Sequence, residues 1–122
     1  MAGVAPSKSS TTLLSSQTVP AGGSVNSGWV NVGSVFELEG MLSVSLPGSA
    51  PSAGPTITWD RSPDNGATVY NSATQTGTTA AQSYFHQYGD TSLYVRVTVK
   101  NNDAGGNSIG VVAHLGRLDN VG

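Results

Sequence analysis

The stretch TWDRSPDNGATVY, residues 58–70, gathers Asp60, Asp64, Asn65 and Trp59 into a short span. Two chemistries could use them: oxygen ligands for calcium, or an indole platform for a sugar. A calcium loop needs oxygens at alternate positions and a bidentate Glu downstream. Here Asp60 and Asp64 are four apart, position 62 is serine and no such Glu follows. The same residues make a good turn instead. Pro63 presets φ for a first central position, and Asp64, Asn65 and Gly66 tolerate left-handed backbone. The stretch therefore reads as strand, hairpin turn, strand, with its acids bonded to local backbone. Trp59 alternates in phase with Ile57, which points its ring into a core and away from a sugar.

Other reactive side chains are scattered. His86 and His114 lie in different segments, with no carboxylate at a convincing spacing from either. Glu37 and Glu39 share one strand face, as acid/base pairs on glycosides can, but that spacing is also the wet face of a half-buried strand. There is no cysteine, so disulfides, thiolate metal sites and a cysteine nucleophile are excluded. No glycine-rich phosphate loop precedes a helix. No enzyme and no cofactor are expected. The densest aromatic cluster is SYFHQYGD, residues 83–90: Phe85 is expected to pin the segment to the core, and Tyr84, His86 and Tyr88 are candidate contacts for a protein or glycan partner.

These residues need a scaffold, and composition points to one. The chain of 122 residues is sized for one domain, with 10% charged residues and a net charge of −2. Lys8, Arg61, Arg96, Lys100 and Arg117 form no basic run, which disfavours nucleic acid and anionic membranes as partners. The opening MAGVAPSKSSTTLLSS has neither a basic n-region nor an apolar h-region, so no signal peptide is expected. The clear periodicity is two. Phe36, Leu38, Gly40, Leu42, Val44 and Leu46 share one face of 35–46; Leu93, Val95, Val97 and Val99 share one face of 92–100; Ile109, Val111 and Ala113 continue the pattern in 108–115. Residues 11–19 are expected to pair at an edge, and ATVY to carry Val69 in a strand. NNDAGGN (101–107) reads as a hairpin loop, and the proline-rich 47–55 as a long surface loop. Residues 71–90 are the least legible. Seven or eight short strands predict an all-β antiparallel sandwich over 11–122, jelly-roll-like, preceded by an arm at 1–10.

The succession FELEGMLSVSL, TITWDRSPDNGATVY and SLYVRVTVKNNDAGGNSIGVVAHL resembles small virion structural proteins of tailed bacteriophages, of the capsid decoration or cement type. The resemblance covers roughly residues 30–115 and carries no catalytic residues. It implies a protein on the capsid surface of the virion, assembled in the host cytoplasm. Its partners would be the major capsid protein and, in a dimer or trimer, further copies of itself, with no nucleic acid or membrane. The contacts expected on this reading are Met1, Ala2, Val4 and Pro6 in the arm, the tail 116–122, and Tyr84, His86 and Tyr88. The rival reading is a glycan- or receptor-binding module of a tail or fibre, using Tyr84, Tyr88 and Trp29.

Overall fold

The computed structural model describes residues 7–35, 37–89 and 92–120. The expected arm contacts Met1, Ala2, Val4 and Pro6, and the core candidate Phe36, lie outside them. Nine strands follow in order: β1 (Ser7–Val19), β2 (Ser24–Asn26), β3 (Val30–Asn31), β4 (Glu37–Ser45), β5 (Thr56–Ser62), β6 (Tyr70–Thr76), β7 (Gln82–Tyr88), β8 (Tyr94–Lys100) and β9 (Ile109–Asn120). They form two antiparallel sheets, β1-β9-β4-β7 and β2-β8-β5-β6, with β3 also on β8.

The pairing has a simple logic. With β2 and β3 counted as one interrupted strand on β8, the first strand pairs with the last, the second with the second-last, and so inward to β5 with β6. That is one long hairpin rolled into two layers, the jelly roll.

Period-two patterning builds the core between the layers. Val95, Val97 and Val99 from β8 and Ile57 and Trp59 from β5 meet Leu38, Leu42 and Val44 from β4 and Ile109, Val111, Ala113 and Leu115 from β9, all buried. Trp59 fills the middle. Its ring lies against Gly40 of β4, where a Cβ would fall 2.8 Å from the ring atom Cε3. Its indole N–H donates to Gln75 Oε1 at 2.7 Å. Leu13 and Leu14 are adjacent yet both buried. A bulge between Thr12 and Leu14 makes this possible, because it changes the phase of β1 against β9.

Four expectations change. Residues 7–10, read as arm, already pair with β9, which runs to Asn120, so 7–10 and 116–120 partner each other within this sheet. The 101–107 segment is no hairpin: β8 and β9 lie in different sheets, and the loop crosses between them. Val69 precedes β6 and is exposed, and Leu93 precedes β8 and is exposed, because in both places the chain is still in a connection. The obscure 71–90 region holds two edge strands, β6 and β7, one in each sheet.

Candidate functional site

The 62–70 turn is a small hydrogen-bonded machine. Ser62 Oγ accepts from the N–H groups of Asp64 (3.2 Å) and Gly66 (2.8 Å) and donates to Asp64 Oδ1 (2.9 Å). The Thr68 N–H donates to the same carboxylate at 2.6 Å. These bonds, Thr68 first, hold the Asp64 carboxyl below its usual range. Asn65 and Gly66 both take positive φ, 57° and 94°. Gly66 is doubly required, because a Cβ there would also run into the Trp29 indole. Asp64 thus serves its own turn.

Asp60 does not. It lies on the outer face of the second sheet and accepts from Arg96 Nη2 at 3.0 Å. The Arg96 guanidinium sits 4.4 Å from the centre of the Trp29 ring, so the ring and the carboxylate share one cation. One face of Trp29 is therefore occupied, which leaves less of it for a sugar. Among the described residues no cluster of His, Asp and Glu could hold a metal ion.

The aromatic cluster of β7 is in the opposite phase to the one expected. Phe85 is 57% exposed, whereas Tyr88 is 4% exposed. Tyr84, His86 and Tyr88 turn toward the interior, and Ser83, Phe85 and Gln87 turn out. His86 stacks on Trp59 with ring centres 5.7 Å apart, and Tyr88 meets both rings edge-on. The Tyr88 hydroxyl donates to the Arg96 carbonyl at 2.8 Å, tying β7 to β8 across the layers. Burial, reinforced by the Asp60 charge, drives its pKa up and out of the usual phenol range. Tyr84 is half-buried, and its hydroxyl accepts from the Thr78 N–H. Tyr88 thus cannot present its ring to a partner, and Phe85 is no anchor. The physical reason is reach: a tyrosine can bury its ring and still place its hydroxyl on a backbone group. Among the described residues His86 has no bonded partner for Nε2, and burial, with Arg61 nearby, holds its pKa below the ordinary value.

Two concave surfaces stand apart from these inward-facing groups. The first, about 300 Å³, lies between the 62–70 turn and the residues entering β8, lined by Arg61, Ser62, Pro63, Tyr70, Ser92 and Leu93. Tyr70 is 56% exposed and Leu93 44%, and Val69 beside them is also exposed. Among the described residues, three of the four large exposed apolar side chains are thus at this one end, the fourth being Phe85. The second is a broad groove of about 720 Å³ over the first sheet, where Lys8, Glu37, Glu39 and Arg117 place both signs of charge around Met41 and Gly116. Arg117 is already bonded to Asp119 and Thr11. Alternation alone does not single out Tyr70, which ends the short strand ATVY in the sequence, or Leu93, which it places on the core face of 92–100. The signal available was position: each flanks a turn or loop at the same end of the sheet.

No family model and no curated protein matches the chain. Solved structures do. A chain in the structure of infectious bursal disease virus, Gx strain, aligns at 14% identity over 92% of this chain and 32% of its own, with a TM-score of 0.58. The Gt strain of the same virus gives 13% identity, the same coverage and a TM-score of 0.50. The mitogen derived from Yersinia pseudotuberculosis aligns at 16% identity over 88% of this chain and 85% of its own, with a TM-score of 0.54. This chain spans about a third of the virus chains it matches and most of the mitogen. At these identities the likeness is one of fold: a jelly roll that occurs both as part of a virus chain and nearly alone.

Proposed function

We propose that this chain is a non-enzymatic structural protein of a virus particle, a jelly roll that binds the outside of a bacteriophage head and cements it. The observation that carries the reading is the concentration of Val69, Tyr70 and Leu93 around one shallow pocket at one end of the sandwich. Apolar side chains grouped on a surface are a mark of contact with another macromolecule. Only 10% of the residues are charged, which lowers the desolvation cost of covering a wide surface. The fold likeness to the virus chain supports the setting. In this reading the pocket end faces the major capsid protein. Heads stripped of accessory proteins should bind the purified chain saturably, at a fixed number of copies per capsomer, and should then better survive heat or low salt. A well-folded chain that does not co-sediment with heads would overturn the proposal.

The second reading is a free-standing module for a glycan or receptor. The mitogen, a sandwich of nearly the same extent, favours it. So does the pocket itself, where Arg61 could donate to hydroxyls beside the exposed ring of Tyr70. Saturable binding to a defined sugar, lost in Tyr70→Ala while head binding is absent, would select this reading.

A further inference from the structure

Among the described residues the sandwich has four lateral edges, and three are blunted. β1 is long, but its pairing with β9 is broken by register shifts at Ser7/Lys8, Thr12/Leu14 and Leu14/Gln17, and Ser16 has a φ of 32°. β2 and β3 are 3 and 2 residues long. β6 carries a bulge where Trp59 and Asp60 face Ala73 and Asn71. Bulges and short strands are the usual devices that stop an edge from pairing with another chain.

β7 has none of them. Its seven residues, Gln82–Tyr88, run in unbroken register along β4 from Val44 to Leu38. The strand contains no proline, glycine, Asp, Glu, Lys or Arg. It ends its sheet, so one row of backbone N–H and C=O groups faces outward from the sheet among the described residues. At its midpoint, on the outer face, stands Phe85, the most exposed of the large apolar side chains among the described residues.

We infer that β7 is a self-association edge, along which two copies of this chain join antiparallel about a twofold axis at Phe85. The sequence of the strand suits that axis. Phe85 then faces Phe85 of the second copy, Ser83 faces Gln87, and Tyr84 faces His86, so outward residues meet outward ones and inward meet inward. Met41 pairs with Phe85 within the sheet, which makes an apolar row of Met41, Phe85 and their two symmetry mates across the joined sheet. No carboxylate, ammonium or guanidinium group from β7 opposes its like across the axis. A twofold contact of one surface with itself closes, so it yields a dimer and no larger ring. Backbone pairing supplies affinity, and the aromatic pair fixes register.

The inference does not depend on the virion reading, and its test uses the purified chain alone. Sedimentation velocity and light scattering over a concentration series should give twice the monomer mass. Phe85→Lys and Phe85→Glu, each alone, should be monomers with unchanged circular dichroism, because each places like charges across the axis. Mixed in equal amounts they should recover the dimer, since lysine then faces glutamate. A chain that stays monomeric up to about 1 mM, a trimer, a dimer indifferent to both substitutions, or a mixture that fails to re-associate would each overturn the inference. If either charged variant is misfolded, Phe85→Ser, which removes the ring without adding charge, should still weaken self-association at least tenfold. A dimer as tight as the parent's in that variant would also overturn it.

Discussion

The two ends of the sandwich carry the chain between strands by opposite chemistry. At one end four connections, 20–23, 46–55, 77–81 and 101–108, all cross between sheets. They cap the core with backbone, and that backbone needs partners. Side chains of the 101–107 loop supply them. Asn101 Nδ2 donates to the carbonyls of Val19 (3.0 Å) and Asn107 (2.9 Å), and its Oδ1 accepts from the Asp103 N–H. Asp103 accepts from the Ser52 N–H, the Ser52 hydroxyl and the Asn107 N–H. Asn102 reaches Gly54 and Thr56. At the other end two crossings and the 62–70 hairpin leave Val69, Tyr70 and Leu93 in solvent around a pocket. One end spends its polar groups on itself. The other holds apolar surface with nothing over it among the described residues. The contrast separates an end closed by its own hydrogen bonds from an end whose apolar side chains stay exposed, the contact end on the proposed reading.

Breaking the knitted end should have the largest effect. Asn101 is 1% exposed. Asn101→Ala strands two carbonyls and one N–H, and calorimetry should record a loss of about 3 kcal/mol. If stability is unchanged, the network is ornamental. Gly40→Ala touches neither end but pushes a methyl into the Trp59 ring. Urea unfolding should show about 2 kcal/mol lost to overpacking, and a neutral result would mean that the core yields there.

The same contrast can be read in acid. Hydrogen bonds from Ser52 and Asn107, backbone donors first, depress the Asp103 pKa below its ordinary 3.8. The native state therefore favours the carboxylate. Its contribution is present above that value and is lost as pH falls through it toward the native pKa. Melting temperature followed down to strongly acidic pH should fall more steeply in the parent than in Asp103→Asn; parallel curves would refute this. His86 acts higher. Its pKa lies below the ordinary 6.5, from burial first and then Arg61, with Trp59 and Tyr88 packed on the ring. The native state favours neutral imidazole, so stability is whole above 6.5 and declines as pH drops through that value. His86→Gln should flatten this shallower limb and leave the Asp103 limb in place.

The smallest stability effect belongs to the open end. Tyr70→Ala with Leu93→Ala should change stability by no more than about 0.5 kcal/mol, yet abolish binding to heads. Retained binding would move the contact elsewhere on the surface.

Much of this fold is legible in single strands. The alternation in β4, β8 and β9 marks core faces correctly, Trp59 is inside, and SPDNG is a turn. β6 and β7 are illegible for a physical reason. Each pairs on one side only, and their outward residues are Ser, Thr, Asn and Gln as often as anything apolar, so no clean alternation survives. In β7 the most apolar residue, Phe85, is the outward one, because Tyr84 and Tyr88 can satisfy their hydroxyls inside. The closed end is hidden for a different reason. Asp103 and Ser52 are 51 residues apart, and Asn101 and Val19 are 82 apart; no local pattern announces such partners. The candidate site was missed through boundaries. Val69 and Leu93 fall just outside strands that sequence alone extends over them.

The rolled hairpin also dictates an order of events in time. β1 finds its partner in β9, nearly the whole chain away, and β2 and β3 find theirs in β8. Only β5 and β6 can pair early, across a short turn. Closing long loops before contacts repay them makes such topologies slow, in the range of milliseconds to seconds. On a ribosome the first sheet cannot acquire β1 until β9 has emerged, so β1, made before the other eight strands described, is among the last of them to be secured. Until then its two leucines, Leu13 and Leu14, wait in water.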